Sequence, residues 1–211
     1  SGLPAPDFYI EGIEDIQSQD FIYAEDFDFT IKHLAVAKLS AGGIELRSHP
    51  VMLNKNSSLA GLKGVRNGIQ FDTDLLGAFH VAGSGAGRES TASGLISDLH
   101  ALSKSPEILP MNYPDFSNKP NILNFNDLIF KFYVYLEVKD EAGVLALISK
   151  IFADHSISFD KVIQKDQLEN GNVPVVIFTD SIIESEMQVA LEDLANHPEI
   201  LNSKIIRIED L

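Results

Sequence analysis

An α+β fold in two parts is what the 211 residues predict, and three features predict it. The first half is crowded with strand-like runs that end on a glycine-rich stretch, Val81-Ala82-Gly83-Ser84-Gly85-Ala86-Gly87. A passage rich in proline and asparagine follows. After it the hydrophobic period alternates between two and 3.6 in the order βαββαβ, the split-βαβ or ferredoxin-like plan. The expected division is therefore 1–127 and 128–211.

Composition narrows the class. Hydrophobic residues are 45% and charged ones 22%, close to ordinary globular usage, which excludes wholesale disorder. With 16 Lys+Arg against 31 Asp+Glu the net charge is −15. Binding a phosphate backbone needs clustered cations, so no nucleic acid partner is expected. No cysteine is present, which excludes disulfides, thiolate metal sites and thiol catalysis. No run reaches the roughly 18 apolar residues of a membrane span, and no signal sequence opens the chain. No membrane partner is expected, and the expected location is cytoplasmic. Residues 1–6 read as a flexible lead-in, outside the fold argument.

In order, Phe8, Tyr9 and Ile10 form a short apolar run, and Ser18 is placed to cap a helix reaching about Glu25. Strands are expected over 31–39 and 44–53, joined by a hairpin at 40–43. In the first of them Ile31, Ala35, Ala37 and Leu39 share a face, opposite Lys32 and Lys38. Residues 57–62 suggest one or two helical turns. A second hairpin, 68–71 with 76–82, turns at 72–74 and runs into the glycines. The helix expected over 90–102 repeats Ala92, Leu95, Ile96, Leu99 and Leu102 at one-face spacing and is expected to pack behind the sheet.

That arrangement makes 83–87 the candidate site. Alternate glycines permit positive φ and close approach of a ligand. The helix end beyond them offers unpaired N–H groups and a positive dipole to a phosphate, a carboxylate or a polar cofactor edge. The spacing matches neither the G-x-G-x-x-G fingerprint nor a phosphate-binding P-loop.

Residues 103–127 show no sustained period and read as a connector holding the domain boundary. Beyond it Phe130, Phe132, Val134, Leu136 and Val138 alternate with Lys131, Tyr133, Tyr135, Glu137 and Lys139 as a strand. Val144, Leu147, Ile148 and Ile151 mark a helix, 157–164 and 173–179 two strands, Met187, Ala190, Leu191 and Leu194 a second helix, and 204–209 the closing strand. Such a domain leaves one sheet face without helices. Tyr133 and Tyr135 on that face suit contact with a second copy, so a homodimer or higher homo-oligomer is expected.

Two resemblances go with these motifs. Residues 83–99 resemble the G-P-G-A-G-x-x-x-T-A-S-x-x-x-x-D-L segment of homoserine dehydrogenases, with Ser84 replacing the proline. Tyr9-Ile10-Glu11-Gly12-Ile13, the strand 31–38, and Glu45-Leu46-Arg47-Ser48-His49-Pro50 resemble that family at matching places. Asp140-Glu141-Ala142-Gly143-Val144-Leu145 resembles the D-x-P-G-V-L turn of amino-acid-binding ACT domains, and 151–158 with Ile163-Gln164 resemble the rest of their signature.

The first resemblance implies the C-terminal half of an NADP- or NAD-dependent enzyme that interconverts aspartate semialdehyde and homoserine. Gly83, Gly85, Ala86 and Gly87 would meet a cofactor held mainly by another domain. The nucleotide-binding domain, the catalytic lysine and the homoserine-binding carboxylates lie ahead of 9–13 in the family, so no catalytic residue is assigned here and the chain alone is expected to be inactive. The second implies an ACT domain in which Asp140, Gly143, Val144, Leu145 and Gln164 bind an amino-acid effector, with threonine the natural candidate. A stand-alone amino-acid-binding regulatory or dimerising protein is the other reading. The gene upstream of Ser1 discriminates between the two.

The remaining candidates carry no chemistry. Six scattered histidines show no metal-binding spacing, Asp72 and Asp74 read as turn formers, and Ser90, Thr91 and Ser93 lack a base. Glu184, Glu186, Glu192 and Asp193 read as the solvated face of the last helix.

Overall fold

The computed structural model describes residues 8–40, 42–104 and 121–211; the expected lead-in and most of the expected connector lie outside them. In chain order the elements are β1 (Tyr9–Ile10), α1 (Ser18–Asp26), β2 (Phe29–Ser40), β3 (Gly43–Asn54), β4 (Arg66–Thr73), β5 (Gly77–Ser84), α2 (Arg88–Lys104), β6 (Ile129–Val138), α3 (Val144–Asp154), β7 (Phe159–Gln164), β8 (Val173–Thr179), β9 (Ile182–Ile183), α4 (Glu184–Ala195) and β10 (Ile200–Glu209). Among the described residues no helix is long and apolar enough to cross a membrane.

The second half builds as its periodicity predicts. Strands β10, β6, β8 and β7 lie side by side in that order with every neighbouring pair antiparallel, the ferredoxin-like arrangement. Alternation along β6 puts Phe130, Phe132, Val134, Leu136 and Val138 on one face. There they form a core with Val144, Ile148, Ile151 and Phe152 of α3 and with Met187, Ala190 and Leu194 of α4.

The opposite face differs from the expectation of a surface left free for a second copy. Tyr133 and Tyr135 are buried by the chain itself, in a cluster with Tyr23 and Ala24 of α1, Ile31 of β2, Met52 of β3, and Val176, Phe178 and Ile206. A helix of nine residues is too short to persist alone in water, so packing and charge must hold it. Lys204 pairs with Asp20, and Lys165 reaches Asp26 at 2.7 Å while its Nζ stands 5.0 Å from the Tyr23 ring and 5.2 Å from the Phe27 ring.

The compact units cut the chain differently from the expected division at 127/128. Described residues up to Asn54 and from Asn121 form one unit, and those from Lys55 to Lys104 belong to the other. Sheet pairing is the reason. β3 pairs with β2 from Phe29↔Asn54 to Ser40↔Gly43, with β1 at Arg47 and Ser48, and with β10 at Val51, Met52 and Leu53. Backbone hydrogen bonds thus bind the first strands to the last one. Along β2 only Ile31 of the expected apolar face is buried, while Ala35, Ala37 and Leu39 are exposed. Helix α1 spans only about 14 Å against about 40 Å for a twelve-residue strand, so it covers one end of that face.

In the second unit β4 and β5 form a two-stranded hairpin registered from Arg66↔Ser84 to Thr73↔Gly77, with Phe71 and Phe79 stacked at 5.0 Å. The Leu76 N–H donates to Thr73 Oγ1 at 3.1 Å and closes the turn. Residues 57–62 make successive tight turns, closed by Ala60 N–H to Ser57 O and Leu62 N–H to Leu59 O, instead of a helix. The expectation that α2 packs behind a sheet is corrected. None of its residues is buried, and Leu95, Ile96, Leu99 and Leu102 are each more than half exposed. Two strands bearing their own exposed Ile69, Phe71, Phe79 and Val81 supply no sheet face to receive that stripe.

Candidate functional site

The glycine stretch is a strand-to-helix turn, as its sequence requires. β5 ends at Ser84, and Gly85 N–H donates to Val65 O at 2.7 Å, which fastens the turn to the segment just before β4. A Cβ at Gly85 would collide with the Asn67 side-chain amide, whereas among the described residues nothing stands within 4 Å of one at Gly83. Gly87 has φ +128°, a conformation that favours glycine, and its carbonyl receives Thr91 N–H at 3.1 Å as the first helical bond. The N–H groups of Arg88, Glu89 and Ser90 therefore have no intrahelical acceptor. Gly83, Gly85, Ala86 and Gly87 are all exposed, and together with these N–H groups they present a backbone surface suited to a polar or anionic edge.

A second helix end lies after β6. Gly143 takes φ +98° and ψ −11° immediately before α3, and Leu147 N–H donates to its carbonyl at 2.9 Å. Val144 buries its side chain in the core and sends its N–H to Glu141 O at 3.4 Å. Free first-turn donors thus remain at Leu145 and Ala146. Asp140, Gly143 and Leu145 are exposed. Gln164 ends β7 and is exposed. The side chain that meets the Asp140 carboxylate is Gln167, its Nε2 3.3 Å from Oδ2 and 2.8 Å from Gly171 O. The loop after β7 is further tied to β6 by Asn170 and Asn172, which donate to Glu137 at 2.9 and 2.6 Å.

What sequence reading missed is a set of buried charges. Glu184 is 1% exposed, not part of a solvated face, because Arg207 is buried beside it and grips its two oxygens at 2.8 and 2.6 Å. Burial opposes the Arg207 charge, yet the Glu184 hydrogen bonds hold its pKa above the usual arginine value. The same guanidinium donates to Glu11 Oε2 at 2.7 Å and to Tyr9 Oη at 3.2 Å. Burial first, and then the Glu11 carboxylate, push Tyr9 up to about 12. Nearby, Arg47 donates to Glu209 at 2.9 Å and to His49 Nε2 at 3.1 Å, while His49 Nδ1–H donates to Pro50 O at 2.9 Å. Burial pushes His49 down to about 3, so the ring is neutral. No local periodicity marks these residues; the R-x-H-P run and the isolated Arg207 within an apolar strand were the only signals.

The model of one protein family, homoserine dehydrogenase, matches residues 2–100. The homoserine dehydrogenase of Helicobacter pylori is 35% identical over 95% of this chain and 48% of its own length, and that of Pseudomonas aeruginosa is 32% identical over 88% and 45%. The crystal structure of a homoserine dehydrogenase from Thiobacillus denitrificans is 30% identical with a TM-score of 0.81, covering 95% of this chain and 47% of that one. The chain spans about half the length of the curated relatives it matches.

Two outcomes follow from the backbone and the buried charges. Gly143→Ala forces a Cβ into a positive-φ position and is expected to lower stability by about 1–2 kcal/mol, whereas Gly83→Ala stays within about 0.5 kcal/mol; urea unfolding measures both. His49 is neutral when folded down to about pH 3 and takes a proton near pH 6.5 when unfolded. Its contribution to stability is therefore complete above about pH 6.5 and is lost as pH falls toward the folded value, at up to about 1.4 kcal/mol per pH unit. His49→Gln is expected to flatten the stability profile between pH 6.5 and 5, and parallel profiles would refute the assignment.

Proposed function

This chain belongs to the homoserine dehydrogenase family, and on that premise we propose that it is the carboxy-terminal half of a cytoplasmic enzyme interconverting L-aspartate 4-semialdehyde and L-homoserine with NADP or NAD. The observation that carries this reading is the exposed glycine turn ahead of α2, with open space at Gly83 and unpaired N–H groups behind Gly87. Such a turn fits the polar edge of a nicotinamide cofactor, since glycine at 83 leaves the approach open on that side. The cofactor, when bound, supplies the two-electron oxidant or reductant. Gly83, Gly85, Ala86 and Gly87 would let its edge come close to the backbone, and the first-turn N–H groups of Arg88, Glu89 and Ser90 would be the donors that orient it. The proton-handling lysine and the substrate carboxylates belong to the other half.

In the full-length enzyme, Gly83→Val puts a branched side chain into the open space of that turn, and the cofactor KM is expected to rise about tenfold or more. A wild-type KM would leave the loop a mere turn. Assayed alone, this chain is expected to show no homoserine-dependent cofactor reduction.

The βαββαβ portion is proposed to act as an ACT-type regulatory domain. Asp140 would hold the effector ammonium, the first-turn N–H groups near Gly143, Val144 and Leu145 its carboxylate, and Gln164 its side chain. Threonine is the proposed effector, bound in a homodimer or higher homo-oligomer. With Tyr133 and Tyr135 already covered, subunit pairing would run along the outer edge of β7. Calorimetric titration with L-threonine is expected to give saturable heat that Asp140→Asn abolishes. Absence of heat would leave this portion structural.

A further inference from the structure

Where the ends of β2, β3, β6 and β10 meet, a cleft is lined by Lys38, Glu45, Arg47, Lys131, Glu209 and Asp210. Arg47 is its buried member, with a side chain 2% exposed. Its terminal nitrogens serve Glu209 and His49, but among the described residues its buried Nε–H has no hydrogen-bond acceptor, only the ion pair with Glu45 Oε2 at 3.6 Å. A buried donor that has an ion pair but no hydrogen bond is under-satisfied, which marks the place for an acceptor. At the rim Lys38 is exposed opposite Glu45 across the β2–β3 ladder. Lys131 and Asp210 face each other at 3.3 Å with both side chains substantially exposed, a weak pair that a ligand can displace.

Three cations and three anions line this cleft, so a simple anion meets Glu45, Glu209 and Asp210, and a simple cation meets Lys38, Arg47 and Lys131. A ligand that carries both signs a few ångströms apart satisfies both sets. The lining also includes Ile129, Phe130 and Ile208, an apolar wall beside the charges.

We propose that this cleft binds a small zwitterion, an α-amino acid with a short apolar side chain. The carboxylate accepts from Arg47 Nε–H and Lys38, the ammonium donates to Glu45 and Asp210, and the side chain lies along Phe130 and Ile208. The site is separate from the turn at 140–145. That turn follows the far end of β6, about 23 Å along the strand from Lys131.

The test is calorimetric titration of the 211-residue chain carrying Asp140→Asn, which removes any contribution from the 140–145 turn. L-Alanine is expected to bind saturably with a millimolar or tighter Kd, and acetate and methylammonium about tenfold or more weaker. Adding Lys38→Gln, at an exposed position, is expected to weaken L-alanine about tenfold without moving the unfolding midpoint. Absence of saturable heat, equal binding of acetate, or indifference to Lys38→Gln would each overturn the proposal. Failure here leaves the reading of the glycine turn untouched.

Discussion

A guanidinium buried in the middle of a sheet has to be neutralised where it stands, and Arg207 in β10 imposes that requirement on everything around it. Removing one partner of such a buried pair typically costs about 3–5 kcal/mol. Its two-oxygen grip on Glu184 sets the start of α4, because Glu184 is the first residue of that helix and its own N–H is spent on Leu128 O. Its remaining donors reach Tyr9 and Glu11. Tyr9 stacks on Phe125 at 3.6 Å, and the Arg207 guanidinium lies 5.1 and 4.9 Å from those two rings. One charge therefore joins β1, the turn before β6, α4 and β10.

That joint explains why the chain's compact units ignore its linear order. β1 and β3 are sheet neighbours, β3 also pairs with β10, and the charges of Arg47 and Glu209 meet across the same region. The ferredoxin-like sheet is thereby covered on both faces by residues of its own chain, α3 and α4 on one side and α1 with the ends of β2 and β3 on the other. A sheet covered on both faces and paired with β3 along β10 offers partners only its β7 edge. This constrains any assembly far more than the presence of two tyrosines on a strand does.

The unit carrying the glycine turn has the opposite character. Its helix and hairpin keep their apolar side chains in solvent among the described residues, and its turn is wholly exposed. An exposed backbone surface of this kind acquires chemistry only when another surface closes over it. This agrees with a chain that spans about half the length of its relatives.

Sequence alone determined what is local. The period of β6 and the stripes of α3 and α4 decide which residues face the core, and glycine at 85, 87 and 143 follows from close approach or positive φ at those points. The strand-to-helix turn at 83–87 was legible for the same reason. Only tertiary structure decided the burial of Glu184, Arg207, Arg47 and Asp20, the covering of Tyr133 and Tyr135, and the pairing of β3 with β10. Each depends on partners far apart in the chain, such as Arg207 and Glu11 at a separation of 196 residues. A charged residue reads as solvated until its counterion is known, because the cost of burying it is cancelled by an interaction that no sequence window contains.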